Sequence, residues 1–393
     1  MFVDGVRTPF GRAGEKGMYW NTRADDLVVK AIVGLLERNP DVPKDRIDEV
    51  AIAATTQQGD QGLTLGRTAA LLAGLPKSVP GFAIDRMCAG AMTSVTTLAG
   101  GIAFGAYDLA LAGGVEHMGR HPMGFGADPN PRFLSEKLVS GEALNMGSTA
   151  ERIHDRFPQL TKERSDRYAL ASQQKAAAAY ENGKLQPDLI PVSIRSESGW
   201  GLATRDEALR PETTLEGLAG LKTPFRPHGR VTAGNASGLN DGATISLLAS
   251  EASAKELGLT AKMKLVSLAF AGVEPEIVGI GPVPSTEKAL KKAGLSITDI
   301  GLFELNEAFA VQVLSLLDHF GIADDDPRVN QWGGAIAMGH PLASSGVRLM
   351  IQLAAQFKER PDVRYGLTAM CVGLGQGGSV IWENPYFDGK KKK

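Results

Sequence analysis

The sequence predicts an α/β protein built from two copies of one strand–helix–strand–helix–strand unit. Two stretches, residues 48–54 (DEVAIAA) and 300–306 (IGLFELN), follow charged helical segments and have the pattern of buried strands. Further along the chain, residues 107–114 (YDLALAGG) resemble residues 365–373 (YGLTAMCVG) in the same way. Alternation of buried strands with helices is typical of α/β folds. We therefore expect duplicated βαβαβ halves.

The repeat also relates single residues of the two halves. The separation that joins Ala54 to Asn306 joins Cys88 to His340. If the halves are copies, Cys88 and His340 lie at equivalent helix starts, and a pseudo-twofold axis faces them into one crevice.

The only two cysteines lie where apolar strand-like runs meet glycine-rich sequence. Cys88 stands in DRMCAG and Cys371 in MCVGLG. In α/β folds this is where reactive groups face a crevice, and a helix N-terminus there favours thiolate over thiol. A free cysteine is otherwise most often a small buried hydrophobe. Two cysteines are too few for a disulfide framework, so both are candidate nucleophiles.

Composition excludes several classes of protein. The chain has 43% hydrophobic residues, 22% charged residues and a net charge of −2, which argues against disorder, a nucleic-acid groove or a membrane surface. No uninterrupted apolar stretch reaches the roughly 20 residues of a bilayer span. The N-terminal residues lack the basic and apolar blocks of an export signal. We expect a cytoplasmic protein without a membrane span.

Between the two halves, the chain is richer in charge and in turns. An excursion of this length is too long to be a simple loop, so we expect an inserted subdomain that covers the crevice. Within it, Thr161 begins a helical stretch that runs to Asn182. The expected units are residues 1–118 plus 238–262 for the N-terminal half, 119–237 for the inserted loop subdomain and 263–393 for the C-terminal half.

A possible dinucleotide-binding motif near the end of the chain is rejected because of its position. Residues 373–378 (GLGQGG) look like a dinucleotide fingerprint, but they lie near the end of the chain and run into a strand-like segment. Glycine at 373 instead suits a backbone N–H that approaches a substrate oxygen.

The histidines have no trustworthy ligand spacing with cysteines or carboxylates, so no metal is predicted.

Five motifs, taken in chain order, resemble the thiolases. They are Cys88 before a helix, residues 231–238 (VTAGNASG), 306–310 (NEAFA), 333–341 (GGAIAMGHP) and 371–377 (CVGLGQG). The resemblance runs from the first strand to the last. It implies the thiolase fold, in which the duplicated halves form five layers in the order α-β-α-β-α.

The resemblance also implies a chemistry that these side chains permit. Cys88 would attack the ketone carbon of a 3-ketoacyl-CoA, with His340 as proton acceptor. Cys371 would protonate the leaving enolate of acetyl-CoA, or act as the base in the condensation direction. A second CoA thiol would then release the acyl group from Cys88, shortened by two carbons.

Two sites that stabilise negative charge on oxygen are implied as well. One would use His340 with a water held by Asn306, and the other the backbone N–H groups of Cys88 and Gly373. Asn306 has an alternative structural role, because asparagine often caps a helix and a helix is expected just after it.

CoA contacts follow from the resemblance, residue by residue. CoA is expected as a co-substrate, and no permanently bound cofactor is expected. The residues that match family positions around the pantetheine, the adenine end and the acyl pocket are Ser237, Ala236, Arg210, Met146 and Phe309. Phe309, at a helix start, could equally be a core residue.

Two short sequence segments favour the degradative type of thiolase, the 3-ketoacyl-CoA thiolase of fatty-acid β-oxidation. Residues 115–118 (VEHM) and 209–216 (LRPETTLE) are most like that type, whereas biosynthetic acetoacetyl-CoA thiolases usually have Glu-Ser-Met-Ser in the first segment. The alternatives are the biosynthetic enzyme and a thiolase-like scaffold that binds acyl-CoA or lipid without turnover. Expected partners are a second copy, as a homodimer or homotetramer, and a hydratase/3-hydroxyacyl-CoA dehydrogenase subunit.

Two departures from the family pattern flank His340. Trp332 stands where asparagine is common, and Ala343, with the two serines after it, replaces a glycine-containing run. Both put the hydrogen bonds around His340 in question, and both could change the preferred chain length.

Overall fold

Helices and strands make up most of residues 1–196 and 199–389, which the computed structural model describes. The strands are β1 (Phe2–Arg7), β2 (Gly11–Arg12), β3 (Glu49–Ala53), β4 (Gly81–Ile84), β5 (Leu109–His117), β6 (Val192–Ser196), β7 (Gly199–Ala203), β8 (Asn240–Ala249), β9 (Lys264–Gly272), β10 (Ile300–Leu305), β11 (Tyr365–Val372) and β12 (Gln376–Glu383). The α-helices are α1 (Ala24–Arg38), α2 (Leu65–Leu72), α3 (Gly90–Phe104), α4 (Arg132–Ser135), α5 (Met146–Arg156), α6 (Lys162–Glu181), α7 (Leu215–Ala219), α8 (Glu251–Glu256), α9 (Pro282–Ala293), α10 (Ala310–Phe320), α11 (Ala335–Met338) and α12 (Ser345–Glu359).

The first sheet has the strand order β4-β3-β5-β8-β1, with β2 added beside β8. β3 pairs in parallel with β4 and β5, whereas β5 with β8 and β8 with β1 are antiparallel. Every residue of β5 and β8 is buried. Both faces of these central strands are therefore covered by other parts of the protein.

The second sheet repeats this arrangement with the order β10-β11-β12-β9. β10 and β11 are parallel, and β11 with β12 and β12 with β9 are antiparallel. Where the first sheet has β4, the second has a single parallel bridge between Phe303 and Val329. Four strands of the first sheet, β3, β5, β8 and β1, thus have counterparts in β10, β11, β12 and β9, and the predicted duplication is confirmed.

Three hydrophobic cores separate five layers. One core joins α1 and α2 to the outer face of the first sheet, and another joins α9 and α10 to the outer face of the second. The third lies between the sheets around α3 and α12, which pack on each other. The order is therefore α-β-α-β-α, as the resemblance implied.

The helix α3 is apolar on nearly all sides because it lies in this middle layer. One stretch, Met87–Phe104, is long and apolar enough to cross a membrane, but 56% of it is buried inside the protein. A core helix of a multilayer fold has this composition, so the stretch is weak evidence for a span.

Residues 119–237 contain α4 to α7 and the hairpin of β6 and β7. The predicted helix start at Thr161 is confirmed, because its hydroxyl accepts a hydrogen bond from the backbone N–H of Arg164 at 3.2 Å. The domain boundaries given above stay a prediction, and residues 390–393 of the third unit lie outside the described residues.

A buried ion pair fastens β1 to the segment that follows β7. Arg7 donates two hydrogen bonds to Asp206, at 2.6 and 2.8 Å, and both side chains are almost fully buried. Asp206 also accepts from the Tyr180 hydroxyl at 2.7 Å and from the Phe10 backbone at 2.7 Å. The carboxylate therefore links the first strand to α6.

Arg7→Met is expected to lower the free energy of unfolding by about 3–5 kcal/mol, because it leaves the Asp206 carboxylate buried and unpaired. Urea denaturation would measure the loss. Arg132→Met is the matched control, since its pair with Glu136 is exposed and is worth at most about 1 kcal/mol. Equal effects of the two substitutions would contradict this account.

Candidate active site

Cys88 lies in a single-turn 3-10 helix, Met87–Ala89, between β4 and α3. The turn is strained at Met87, whose φ of 44° is in the left-handed region. Asp85 stabilises it by accepting a hydrogen bond from the Met87 backbone N–H at 2.6 Å. The result places Cys88 in the core between the two sheets, at 9% exposure.

Two backbone N–H groups, that of Cys88 itself and that of Gly373, lie close enough to the Cys88 sulfur to oppose the rise of its pKa. Gly373 begins the turn between β11 and β12, in which Leu374 and Gly375 have φ of 60° and 75°. A Cβ on residue 373 would come within 2.3 Å of the Met87 sulfur, so any residue larger than glycine there would displace the Met87 side chain beside Cys88.

Cys371 lies near the end of β11 and is buried. Burial raises the pKa of the Cys371 thiol, and the neighbouring Cys88 raises it further. An effect of Cys88 on the pKa of Cys371 requires the two sulfurs to lie close together, since a charge on one opposes a charge on the other only at short range.

The turn that carries Cys88 packs against β11 and against a second 3-10 helix, Leu342–Ser344, which follows His340. Within this contact, a Cβ on Gly90 would come within 2.9 Å of the Ala343 Cβ. The Ala343 backbone N–H also donates to Glu116 at 3.2 Å. The helix starts of the two halves therefore meet in the middle layer.

His340 is held on three sides by polar groups. Its backbone N–H donates to Asn240 Oδ1 at 2.9 Å, and its ring Nδ1 lies 2.6 Å from the Ser345 hydroxyl. The Ser345 hydroxyl donates to the Pro341 carbonyl at 3.3 Å, so it is free to accept the Nδ1 proton. This tautomer leaves Nε2 as the base.

Asn306 follows β10 directly and is fully buried. Its Oδ1 accepts from Arg348 at 3.0 Å, and its Nδ2 lies 3.2 Å from His340 Nε2. Helix α10 begins only at Ala310, and no side chain caps it. The capping alternative for Asn306 is therefore wrong.

Burial keeps the cysteine and the histidine neutral. It raises the pKa of Cys88 to about 12, although the Gly373 N–H opposes the shift. It lowers the pKa of His340 to about 3, and the positive charge of Arg348 acts in the same direction. The expectation that a helix start favours thiolate is wrong here, because the cost of burying the charge outweighs the dipole.

The rate at which iodoacetamide alkylates Cys88 is expected to rise about tenfold per pH unit between about pH 6 and pH 9, without a plateau. The reason is that the thiolate fraction grows tenfold per unit while pH stays below the thiol pKa of about 12. Mass spectrometry of the Cys88 peptide in a Cys371→Ala background would measure it. A flat profile would instead indicate a preformed thiolate–imidazolium pair.

Three of the five predicted CoA contacts lie in two paired segments, one of which follows Asn306. Ala236 forms a β-bridge with Phe309, and the Ser237 backbone N–H donates to the Ala308 carbonyl at 3.0 Å. The segment around Ser237 is thus joined to the chain that leaves Asn306. Met146, half-buried, is the first residue of α5.

Arg210 is exposed, and its backbone is connected to α11 through Gln173. Its backbone N–H donates to Gln173 at 2.8 Å, and Gln173 donates to the carbonyl of Ile336 in α11. Trp332 packs against a hydrophobic cluster that includes Ala176 of α6 and Met338 of α11. Its effect on His340 stays a prediction.

Two residues around His340 escaped sequence analysis as site residues, Ser345 and Arg348. A signal was present, since α12 carries polar residues at 345, 348, 352 and 356, each three or four positions apart, and the residues between them are apolar or glycine. Such a stripe lies on one helix face.

Within residues 1–196 and 199–389, no group of three or more His, Cys, Asp or Glu side chains is placed to hold a metal ion. The absence of a metal stays a prediction.

Comparison with known proteins identifies the family. The family model "Thiolase, N-terminal domain" matches residues 1–252, and "Thiolase, C-terminal domain" matches residues 259–384. The chain belongs to the thiolase family. A relative named 3-ketoacyl-CoA thiolase, from Aliivibrio fischeri, is 43% identical over 98% of this thiolase and 99% of its own length.

Other relatives of this thiolase carry other names. A 3-oxoadipyl-CoA/3-oxo-5,6-dehydrosuberyl-CoA thiolase from Escherichia coli is also 43% identical, over 97% of this chain and 98% of its own. The crystal structure of human mitochondrial 3-ketoacyl-CoA thiolase superposes with a TM-score of 0.88 at 34% identity, covering 98% of each chain. As a thiolase, the protein is an acyltransferase whose substrates are acyl-CoA and CoA.

Proposed function

We propose that this thiolase cleaves 3-ketoacyl-CoA with CoA, giving acetyl-CoA and an acyl-CoA shortened by two carbons. The observation that carries the proposal is the set of groups around Cys88, namely its own backbone N–H, that of Gly373 and the thiol of Cys371, with the segment that follows His340 packed against the Cys88 turn. A nucleophile, oxyanion donors, an acid and a base are what thiolytic cleavage requires.

The first step begins from neutral groups. The Cys88 sulfur attacks the ketone carbon while its proton passes to His340 Nε2, and the ketone oxygen becomes an alkoxide. Because the pKa values of about 12 and about 3 disfavour a free thiolate–imidazolium pair, proton transfer accompanies C–S bond formation. Once protonated, Nε2 lies beside Asn306 Nδ2, so Nε2 and the water that the Asn306 amide is expected to hold become neighbouring donors for an oxyanion.

In the second step the bond between the second and third carbons breaks. Its electron pair forms the enolate of acetyl-CoA, and Cys371 gives its proton to the terminal carbon. Acetyl-CoA then leaves, and the acyl group stays on Cys88.

The third step restores the enzyme. The thiol of the incoming CoA gives its proton to Cys371 and attacks the thioester carbon on Cys88. The departing Cys88 sulfur takes the proton back from His340. All protons balance, since the proton of the CoA thiol replaces the one delivered to acetyl-CoA.

The direct test mixes the protein with CoA and a series of 3-ketoacyl-CoAs, starting from acetoacetyl-CoA, and follows loss of the 3-keto absorbance. Cleavage of longer chains supports the proposal. Activity on acetoacetyl-CoA alone would favour a biosynthetic acetoacetyl-CoA thiolase. Binding without turnover at every chain length would favour an acyl-CoA-binding scaffold.

A second candidate substrate class carries a carboxylate at the far end of the acyl chain. It is favoured by the equally similar relative whose name specifies 3-oxoadipyl-CoA. Comparing kcat/KM for 3-oxoadipyl-CoA with that for 3-oxohexanoyl-CoA separates the two classes, because chain length is matched and only the terminal charge differs.

We further propose that the protein is cytoplasmic, works in fatty-acid β-oxidation, possesses CoA contacts at Ser237, Ala236, Arg210, Met146 and Phe309, and assembles as a homodimer or homotetramer. Assembly is supported by β4, which pairs on one side only, and by Phe104 nearby in the same half, which is 89% exposed. Light scattering would measure the oligomer. Copurification with a hydratase/3-hydroxyacyl-CoA dehydrogenase subunit would test the expected complex.

A further inference from the structure

A fully buried cation, Arg348, lies behind the Asn306 amide. It stands on α12 with no exposed surface, and it donates to Asn306 Oδ1 at 3.0 Å and to Gln352 Oε1 at 2.6 Å. Burying a guanidinium is costly unless it is paired and hydrogen-bonded. The hydrogen-bond partners of Arg348 therefore indicate which neighbouring groups it holds in place.

The counter-ion of Arg348 is held at a distance. The nearest approach of the Glu304 carboxylate is 3.8 Å, and its other oxygen accepts from Gln356 at 2.6 Å. Burial raises the pKa of Glu304 to about 7. Arg348 thus makes its short contacts with two amide oxygens and not with the carboxylate, which is an arrangement that orients amides.

The orientation of Asn306 follows from the chemistry of its neighbour. A guanidinium only donates hydrogen bonds, so Arg348 can contact the oxygen of the Asn306 amide and not its nitrogen. The NH₂ group is then turned toward His340, 3.2 Å from Nε2. With the amide reversed, an acceptor would face the imidazole, and an oxyanion beside it would be repelled.

We propose that Arg348 is a positioning residue, which fixes the Asn306 amide so that its N–H donors face His340 and the developing oxyanion. The inference rests on the proposed cleavage of 3-ketoacyl-CoA. It assigns Arg348 no contact with the substrate, since its guanidinium is enclosed by Asn306, Gln352 and Glu304.

The test compares three variants of the full-length protein in the cleavage assay. Arg348→Met is expected to lower kcat about 10- to 100-fold with KM changed less than about twofold, because a donor active in the transition state is misdirected. Arg348→Lys, which keeps one donor and the charge, is expected to recover part of the loss. Gln356→Met, which disturbs Glu304 without touching Arg348 or Asn306, is the matched control and keeps kcat within about twofold.

A double variant shows whether the effect passes through Asn306. Adding Arg348→Met to Asn306→Ala is expected to lower kcat by no more than about a further twofold, since the oriented amide is already gone. If Arg348→Met alone does not fold, Arg348→Met with Glu304→Gln removes both buried charges and carries the same expectation.

The outcomes separate this inference from the proposed function. An active wild-type protein whose kcat survives Arg348→Met would overturn the positioning role alone. So would losses that multiply in the double variant with Asn306→Ala. A wild-type protein that cleaves no 3-ketoacyl-CoA would overturn the proposed function first, and the positioning role with it.

Discussion

Cys88→Ala is expected to lower thiolytic turnover about 10⁴- to 10⁶-fold, the scale seen when a covalent nucleophile is removed. The expectation follows from the surroundings of the sulfur, which interacts with the backbone N–H groups of Cys88 and Gly373. No other described nucleophile occupies that position, since Cys371 lies at the end of β11. Steady-state rates with a 3-ketoacyl-CoA that the wild type cleaves would measure the loss.

The control for Cys88→Ala is binding and folding. CoA affinity, measured by calorimetry, and the melting temperature should change little, because the substitution removes one buried atom and leaves the turn Met87–Ala89 in place. Intact-mass spectrometry should find an added acyl group on the wild type and none on Cys88→Ala. Turnover that persists in the variant, or an acyl group on another residue, would refute the assignment of the nucleophile.

The sequence allowed prediction of the duplicated fold, because buried strands leave a recognisable pattern and both copies kept it. The common separation that joins Ala54 to Asn306 and Cys88 to His340 corresponds to real equivalences, since Asn306 follows β10 as Ala54 follows β3. Cys88 and His340 precede α3 and α12, the paired helices of the middle layer.

The protonation state of the site could not be predicted from sequence. A cysteine at a helix start suggests thiolate when only the dipole is considered. The opposing cost depends on how deeply the sulfur is buried, and burial is set by the stacking of five layers, which involves residues from both ends of the chain. The same stacking sets the low pKa of His340, to which Arg348 contributes.

Positions of supporting side chains were also beyond the sequence pattern. Ser345 and Arg348 gain their roles from the direction in which α12 faces β10 and the His340 segment, and helix periodicity alone does not fix that direction. The surroundings of Trp332 were likewise beyond the sequence, because its cluster joins residues of α6 to Met338 of α11.

Cys371→Ala is expected to separate the two half-reactions. Cleavage of 3-ketoacyl-CoA should fall about 10³- to 10⁴-fold, because no group remains to protonate the enolate of acetyl-CoA. Transfer of an acyl group from a simple acyl-CoA to Cys88 forms no enolate, so Cys371 keeps its proton. The proton that Cys88 gives to His340 can pass to the departing CoA sulfur, so this transfer should fall no more than about tenfold. Rates of 3-keto absorbance loss and of exchange between acetyl-CoA and labelled CoA would be measured on the same preparation.

The matched control is Cys371→Ser, which nearly keeps the volume of the buried side chain but replaces the thiol by a much weaker acid. If proton delivery is the role of Cys371, serine should fail at cleavage almost as badly as alanine, whereas a packing role would let serine restore activity. Equal losses in cleavage and in exchange would refute the assignment, because they would place Cys371 in the acylation of Cys88. The comparison of cleavage with exchange is needed because the two thiols interact: a charge on Cys88 raises the pKa of Cys371. A substitution at 371 could therefore also affect Cys88.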